Sequence, residues 1–131
     1  MFKWVYKAMM TATFIAAGGA LGAVFRHFLC HFINTCSSIT FPLATLTVNL
    51  VGGFVMGLLT GYMTYKGVIH LNLKAFLTTG LLGGFTTFSA FSLDFVLLME
   101  QGKWKHALFY TLASVGLSVT ALISGMALMR Q

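Results

Sequence analysis

Gly83-Gly84-Phe85-Thr86-Thr87-Phe88-Ser89-Ala90-Phe91-Ser92 lies in the middle of an apolar run that extends from about Leu71 to Met99. A run of this length can cross a hydrocarbon core, which takes about 20 residues of helix. Paired glycines followed by Thr-Thr weaken a helix, however. Unwound backbone at bilayer depth exposes N–H and C=O groups, and it is tolerated only where protein, ions or a water-filled cavity satisfies them. Two readings stay open. Either the helix breaks here and the break binds something, or it runs on and the glycines mark a tight crossing. A break would offer freed carbonyls for a hard cation. The helix half that begins after it would offer an N-terminus that favours an anion.

The rest of the chain places this stretch in lipid. Of 131 residues, 58% are hydrophobic and 8% charged, against roughly a quarter charged in soluble domains. So few charges cannot cover a water-facing surface. The length holds about four spans and short loops, so residues 1–131 read as a single transmembrane domain whose function lies inside the bilayer. The N-terminal lysines and the apolar run behind them resemble a signal peptide. The run continues to about Ile33, too long for one, so it reads as an uncleaved first span from about Val5 to Ile33. Asn34–Thr40 reads as a loop, Pro42 as the first turn of a second span reaching Tyr65, and Lys66-Gly67 as its end. The third span runs from about Leu71 to Met99, residues 100–103 turn, and the fourth runs from about Trp104 to Met129.

The net charge is +6, with Asp94 and Glu100 the only acids. The basic residues are scattered at span ends, which argues against nucleic acid as a partner. They read as headgroup anchors, or as a field that favours an anion in transit. Lys3, Lys7, Lys66, Lys74 and Arg130 fall on one side, and Arg26, Lys103 and Lys105 on the other. So weak a bias permits insertion in both orientations. No internal repeat supplies the symmetric pathway that many transporters build within one chain. Oligomerisation is the natural alternative. Gly18/Gly22, Gly53/Gly57/Gly61 and Ala121/Gly125 recur at four-residue spacing, which lets helices approach closely in lipid.

Several polar or aromatic residues have two readings each. Phe88 and Phe91 share a helix face. They pack, or their electropositive ring edges face an anion. Asn49, inside the second span, donates to an anion or ties down a neighbouring helix. Tyr110, Ser114 and Ser118 form a hydroxyl row along one face of the fourth span. Such a row suits an anion pathway, although membrane Ser and Thr often bond their own backbone. Arg26 anchors a headgroup or sits at the mouth of a pathway. Cys30 and Cys36 read as free thiols, with a weak metal cluster with His27 and His31 the lesser reading. No acid lies deep in a span, as a proton-coupled pump needs. No nucleophile–base pair or phosphate loop appears, so catalysis is not expected.

These stretches resemble the Fluc (CrcB) family of fluoride channels. Gly18-Gly19-Ala20-Leu21-Gly22-Ala23-Val24-Phe25-Arg26 is similar to its first-helix signature, and Asn49 with Gly52-Gly53 to its second. Gly83 to Phe91 resembles the third, the most specific, and Tyr110, Ser114 and Ser118 resemble its polar track. The resemblance implies an all-α protein with a mid-membrane break in the third helix, built as an antiparallel, dual-topology homodimer. It implies passive fluoride export across a bacterial inner membrane, through two pathways per dimer. Asn49 would donate to fluoride, Phe88 and Phe91 would line the pathways, and Thr87 and Ser89 would lie close by. Arg26 would stand near the vestibule. A structural Na+ would be held by the carbonyls of Gly83 and Thr86 at the dimer interface. Two departures stand out: Ala90 where the family usually has Thr, and His27 where an aromatic is common. The alternatives are a small drug-efflux transporter, which would need a carboxylate in its first span, and a non-transporting membrane scaffold subunit.

Overall fold

The structure is a computed structural model, and it describes residues 2–37, 41–67 and 69–131. All secondary structure among them is helical: α1 (Phe2–Cys36), α2 (Leu43–Tyr65), α3 (Leu71–Lys74), a π-helical stretch (Ala75–Leu82), α4 (Gly83–Phe85), α5 (Phe88–Glu100) and α6 (Trp104–Leu128). Four stretches are long and apolar enough to cross a membrane, at 4–36, 43–65, 71–100 and 104–128. Helix is the natural answer for such segments, because it satisfies every backbone polar group locally where lipid cannot.

The expected boundaries hold to within a few residues, with informative exceptions. Asn34–Cys36, expected as loop, continues α1, and Thr35 Oγ1 donates back to the His31 carbonyl at 2.8 Å. That internal bond removes the polar cost of extending the helix. Ser37 leaves the helix, and the remainder of the expected loop, 38–40, lies outside the described residues. Pro42 does not occupy the first turn of α2 but precedes it, with ψ of 63°. The turn between α5 and α6 closes through Gly102, whose φ of 71° suits glycine.

Helix contacts fall into two pairs. α1 packs along the π-helical stretch and α4, and α2 packs along α6. Both seams are made of backbone, as the four-residue spacing of small residues implies. A Cβ on Gly22 would collide with the Leu81 carbonyl, one on Gly57 with the Leu122 carbonyl, and one on Gly125 with the Phe54 carbonyl. The buried cluster Leu98, Ala107 and Tyr110, with Phe41, Leu46, Phe91 and Phe95 around it, joins α5 and α6 to the start of α2. Most other large apolar side chains face outward, as on a surface meant for lipid.

Candidate functional site

Gly83 and Gly84 do not break the third span. They stay helical, and the chain turns extended at the two threonines that follow: Thr86 has ψ of 158°, and Thr87 has φ of −153° and ψ of 120°. Two side chains, Asn49 and Thr87, take over donors that this interruption leaves free, and Thr86 adds a third bond to a carbonyl its own N–H already uses. Asn49, on α2, accepts from the Thr87 N–H at 2.8 Å and donates to the Thr87 carbonyl at 3.0 Å. Thr87 Oγ1 accepts from the Ala90 N–H at 3.1 Å, capping α5. Thr86 Oγ1 donates to the Leu82 carbonyl at 2.9 Å. A side chain from another helix thus replaces the ladder, as buried backbone requires.

In an unbroken helix the Thr87 N–H would bond the Gly83 carbonyl, and the Ala90 N–H would bond the Thr86 carbonyl. Both donors are taken by side chains instead. Gly83 and Thr86 are thus two of the four carbonyls, with Gly84 and Phe85, that lose their helical donors at the break. Arg26 Nη1 reaches the Thr86 oxygen at 3.3 Å. A carbonyl has two lone pairs, so this contact leaves capacity for a second partner. The donor set suits a hard cation. Even all four carbonyls of one chain are fewer oxygens than such an ion collects, so the fit is partial unless further oxygens are brought to the break.

Beside the break lies a cleft of about 440 Å³, with Asn49, Thr87, Phe88, Phe91, Ser114 and Ser118 in its wall. The Ser118 hydroxyl is buried and has no hydrogen-bond partner among the described residues, and the buried Ser114 hydroxyl lies beside the Tyr110 hydroxyl without closing a bond of full geometry. Unsatisfied buried hydroxyls are costly and call for a ligand or water. Asn49 uses one of its amide hydrogens on Thr87, and the second remains for the cleft. The Phe88 and Phe91 rings lie 5.4 Å apart and tilted by 42°. Phe88 is 77% exposed, so its ring is open to a partner or to lipid.

The expected site residues divide accordingly. Asn49, Thr87, Phe88, Phe91, Ser114 and Ser118 meet at the cleft, and Thr86 lines it too. Ser89 is exposed and shares a 3.2 Å bond with Thr87 Oγ1. Arg26 bonds the break from the α1 side rather than the cleft wall. Tyr110 is fully buried, stacks 5.2 Å from Phe91, and its hydroxyl donates to Asp94 at 3.1 Å. It sits under the aromatic pair, so the hydroxyl row in the cleft shortens to two serines. Asp94 is the residue that sequence reasoning passed over, yet an acid within a spanning segment is a signal in itself. Cys30 and Cys36 are free thiols, and His27 and His31 stack at 6.5 Å.

Four span-capable helices among the described residues, with an interrupted third span beside a cleft, define a multi-pass membrane protein. Its family is shown by comparison with known proteins. A model of the CrcB-like protein, Camphor Resistance (CrcB) family matches residues 13–126, and the chain belongs to that family. It is 47% identical over 125 residues to the "Fluoride-specific ion channel FluC" of Rhodopseudomonas palustris, covering 92% of this chain and 98% of the relative. It is 45% identical over 122 residues to the protein of that name in Rhizobium etli, covering 93% and 98%. It is 41% identical over 121 residues to "Fluoride-specific ion channel FluC 2" of Nitrobacter hamburgensis, covering 92% and 98%.

Proposed function

We propose that this protein is a passive, fluoride-selective channel that lowers cytoplasmic fluoride, and not a pump, an enzyme or a scaffold. The observation that most supports it is the buried, partnerless hydroxyl of Ser118 on the residue row that, with Ser114 and Asn49, lines one cleft. The serine hydroxyls and the second Asn49 amide hydrogen are donors with capacity to spare. A small anion that sheds its water needs such donors. Ring edges carry positive potential, so Phe88 and Phe91 continue the path where hydroxyls end. The names of the relatives supply the identity of the anion.

Driving force then needs no coupling residue. Hydrogen fluoride enters neutral, ionises in the more alkaline cytoplasm, and the anion leaves down a negative-inside potential of about 2.3 kcal/mol per charge per 100 mV. A bacterial inner membrane sustains such a potential. The break of the third span would then lie near mid-bilayer. Two antiparallel copies would place their breaks together, cover Phe88, and give two pathways. A Na+ bound there would neutralise freed carbonyls, with Gly83 and Thr86 of each copy as ligands. Arg26 would support the same carbonyl from α1.

Fluoride efflux from liposomes holding the purified protein, with a potassium ionophore to dissipate charge, tests the reading. Rapid loss of fluoride with retention of chloride is the expected result. No efflux from well-folded protein would return Phe88 and Phe91 to a packing role and favour a scaffold.

A further inference from the structure

α6 has a second groove on the flank away from the ion cleft. It holds about 630 Å³ between the start of α2 and α6, and Phe41, Leu46, Phe109 and Leu117 are among its lining residues. Lys105 and His106 also line it, and no carboxylate among the described residues does. Both lie in the first turn of α6, directly after Trp104. Trp104 is 58% exposed, and Lys105 Nζ sits 5.4 Å from its ring. An exposed Trp beside a Lys at the start of a span is the signature of the membrane–water interface. The groove therefore begins at headgroup level, with its cationic and N–H groups at one end, and runs on as apolar surface toward the hydrocarbon.

We propose that this groove is a binding site for one anionic phospholipid, its acyl chain along Phe109 and Leu117 and its phosphodiester against Lys105 and His106. The charge pattern selects this occupant. A zwitterionic lipid would set a cation beside Lys105. An anionic headgroup gains about 1 kcal/mol per Lys or Arg at the surface, while its chain fills space that water cannot usefully occupy. The proposal is independent of which ion the neighbouring cleft conducts.

Native mass spectrometry of the delipidated full-length protein tests it, with phosphatidylglycerol and phosphatidylcholine of identical chains added in turn. Wild type should retain phosphatidylglycerol in preference, and excess inorganic phosphate should not displace it. Lys105→Gln should reduce that preference about fivefold, the effect of one surface cation, and Lys105→Gln/His106→Gln should reduce it further. Ala113→Trp, which fills the groove, should weaken both lipids while leaving the headgroup cations in place. Equal retention of the two lipids by wild type, or an unchanged preference in the double variant, overturns the proposal. So does a disulfide between two copies of an Ala113→Cys variant, which would assign the groove to a protein interface.

Discussion

At the scale of single residues, Asn49 and the two serines make opposite predictions. Asn49 spends both ends of its amide on the Thr87 backbone. Asn49→Ala leaves a buried N–H and a buried C=O unpaired, at about 1–3 kcal/mol each. Thermal unfolding in detergent should show a clear loss, with fluoride efflux abolished alongside. Ser118 makes no bond within the protein among the described residues, and Ser114 has only the neighbouring Tyr110 hydroxyl. Ser114→Ala/Ser118→Ala should therefore leave the melting temperature unchanged or slightly raised, while efflux falls at least about tenfold if these hydroxyls replace part of the ion's hydration. Unchanged efflux in the double variant would mean that the hydroxyls do not meet the ion. The sequence alone left Asn49 divided between helix glue and anion donor. The structure shows it bonded to the neighbouring chain segment with one hydrogen to spare, so the two readings are compatible.

At the scale of elements, the third span shows what is legible in a sequence and what is not. The Gly-Gly-Phe-Thr-Thr stretch signals weakness, because local propensity is written in it. Which residues unwind is decided elsewhere, by Asn49 reaching across from α2 to take the Thr87 N–H. Hence the glycines remain helical and the threonines do not. The π-helical stretch Ala75–Leu82 had no local sign at all. It lies where Gly18 and Gly22 of α1 press on its carbonyls, a tertiary constraint invisible in residues 75–82 themselves. Tyr110 likewise shares a face with the serines, but the spacing could not reveal that Phe91 covers it or that Asp94 accepts its hydrogen bond. The cap of α5 gives the element's own test. Thr87→Val removes the oxygen that accepts the Ala90 N–H and should cost about 1 kcal/mol, whereas Thr87→Ser should restore it. Equal melting temperatures for Val and Ser would show that the cap contributes nothing. The glycine seam between α2 and α6 is less forgiving. Gly57→Ala drives a methyl into the Leu122 carbonyl, backbone against backbone, and should cost more than the cap does in the same unfolding assay.

At the scale of the whole molecule, one chain leaves its cleft open and Phe88 77% exposed. The proposed remedy is a second copy turned over in the membrane. Its physical basis is the near balance of charge at the span ends: five basic residues on the side of the termini against three on the other. Topology follows the excess of Lys and Arg in cytoplasmic segments, and a margin this small lets both orientations insert. Gln101 lies exposed in the turn between α5 and α6, so a thiol there reports its side of the membrane. The chain has two native cysteines, Cys30 and Cys36. With both changed to serine, Gln101→Cys becomes the sole reactive thiol. In an antiparallel dimer about half of these thiols should react with a membrane-impermeant maleimide applied to spheroplasts, the rest only after permeabilisation. Labelling of all or none from outside would establish a single orientation. That result would retire the antiparallel arrangement, and with it the assembly of a cation site from the Gly83 and Thr86 carbonyls of two inverted copies. The cleft of each chain, with its serine hydroxyls, would survive as a conduction path to be tested by efflux alone.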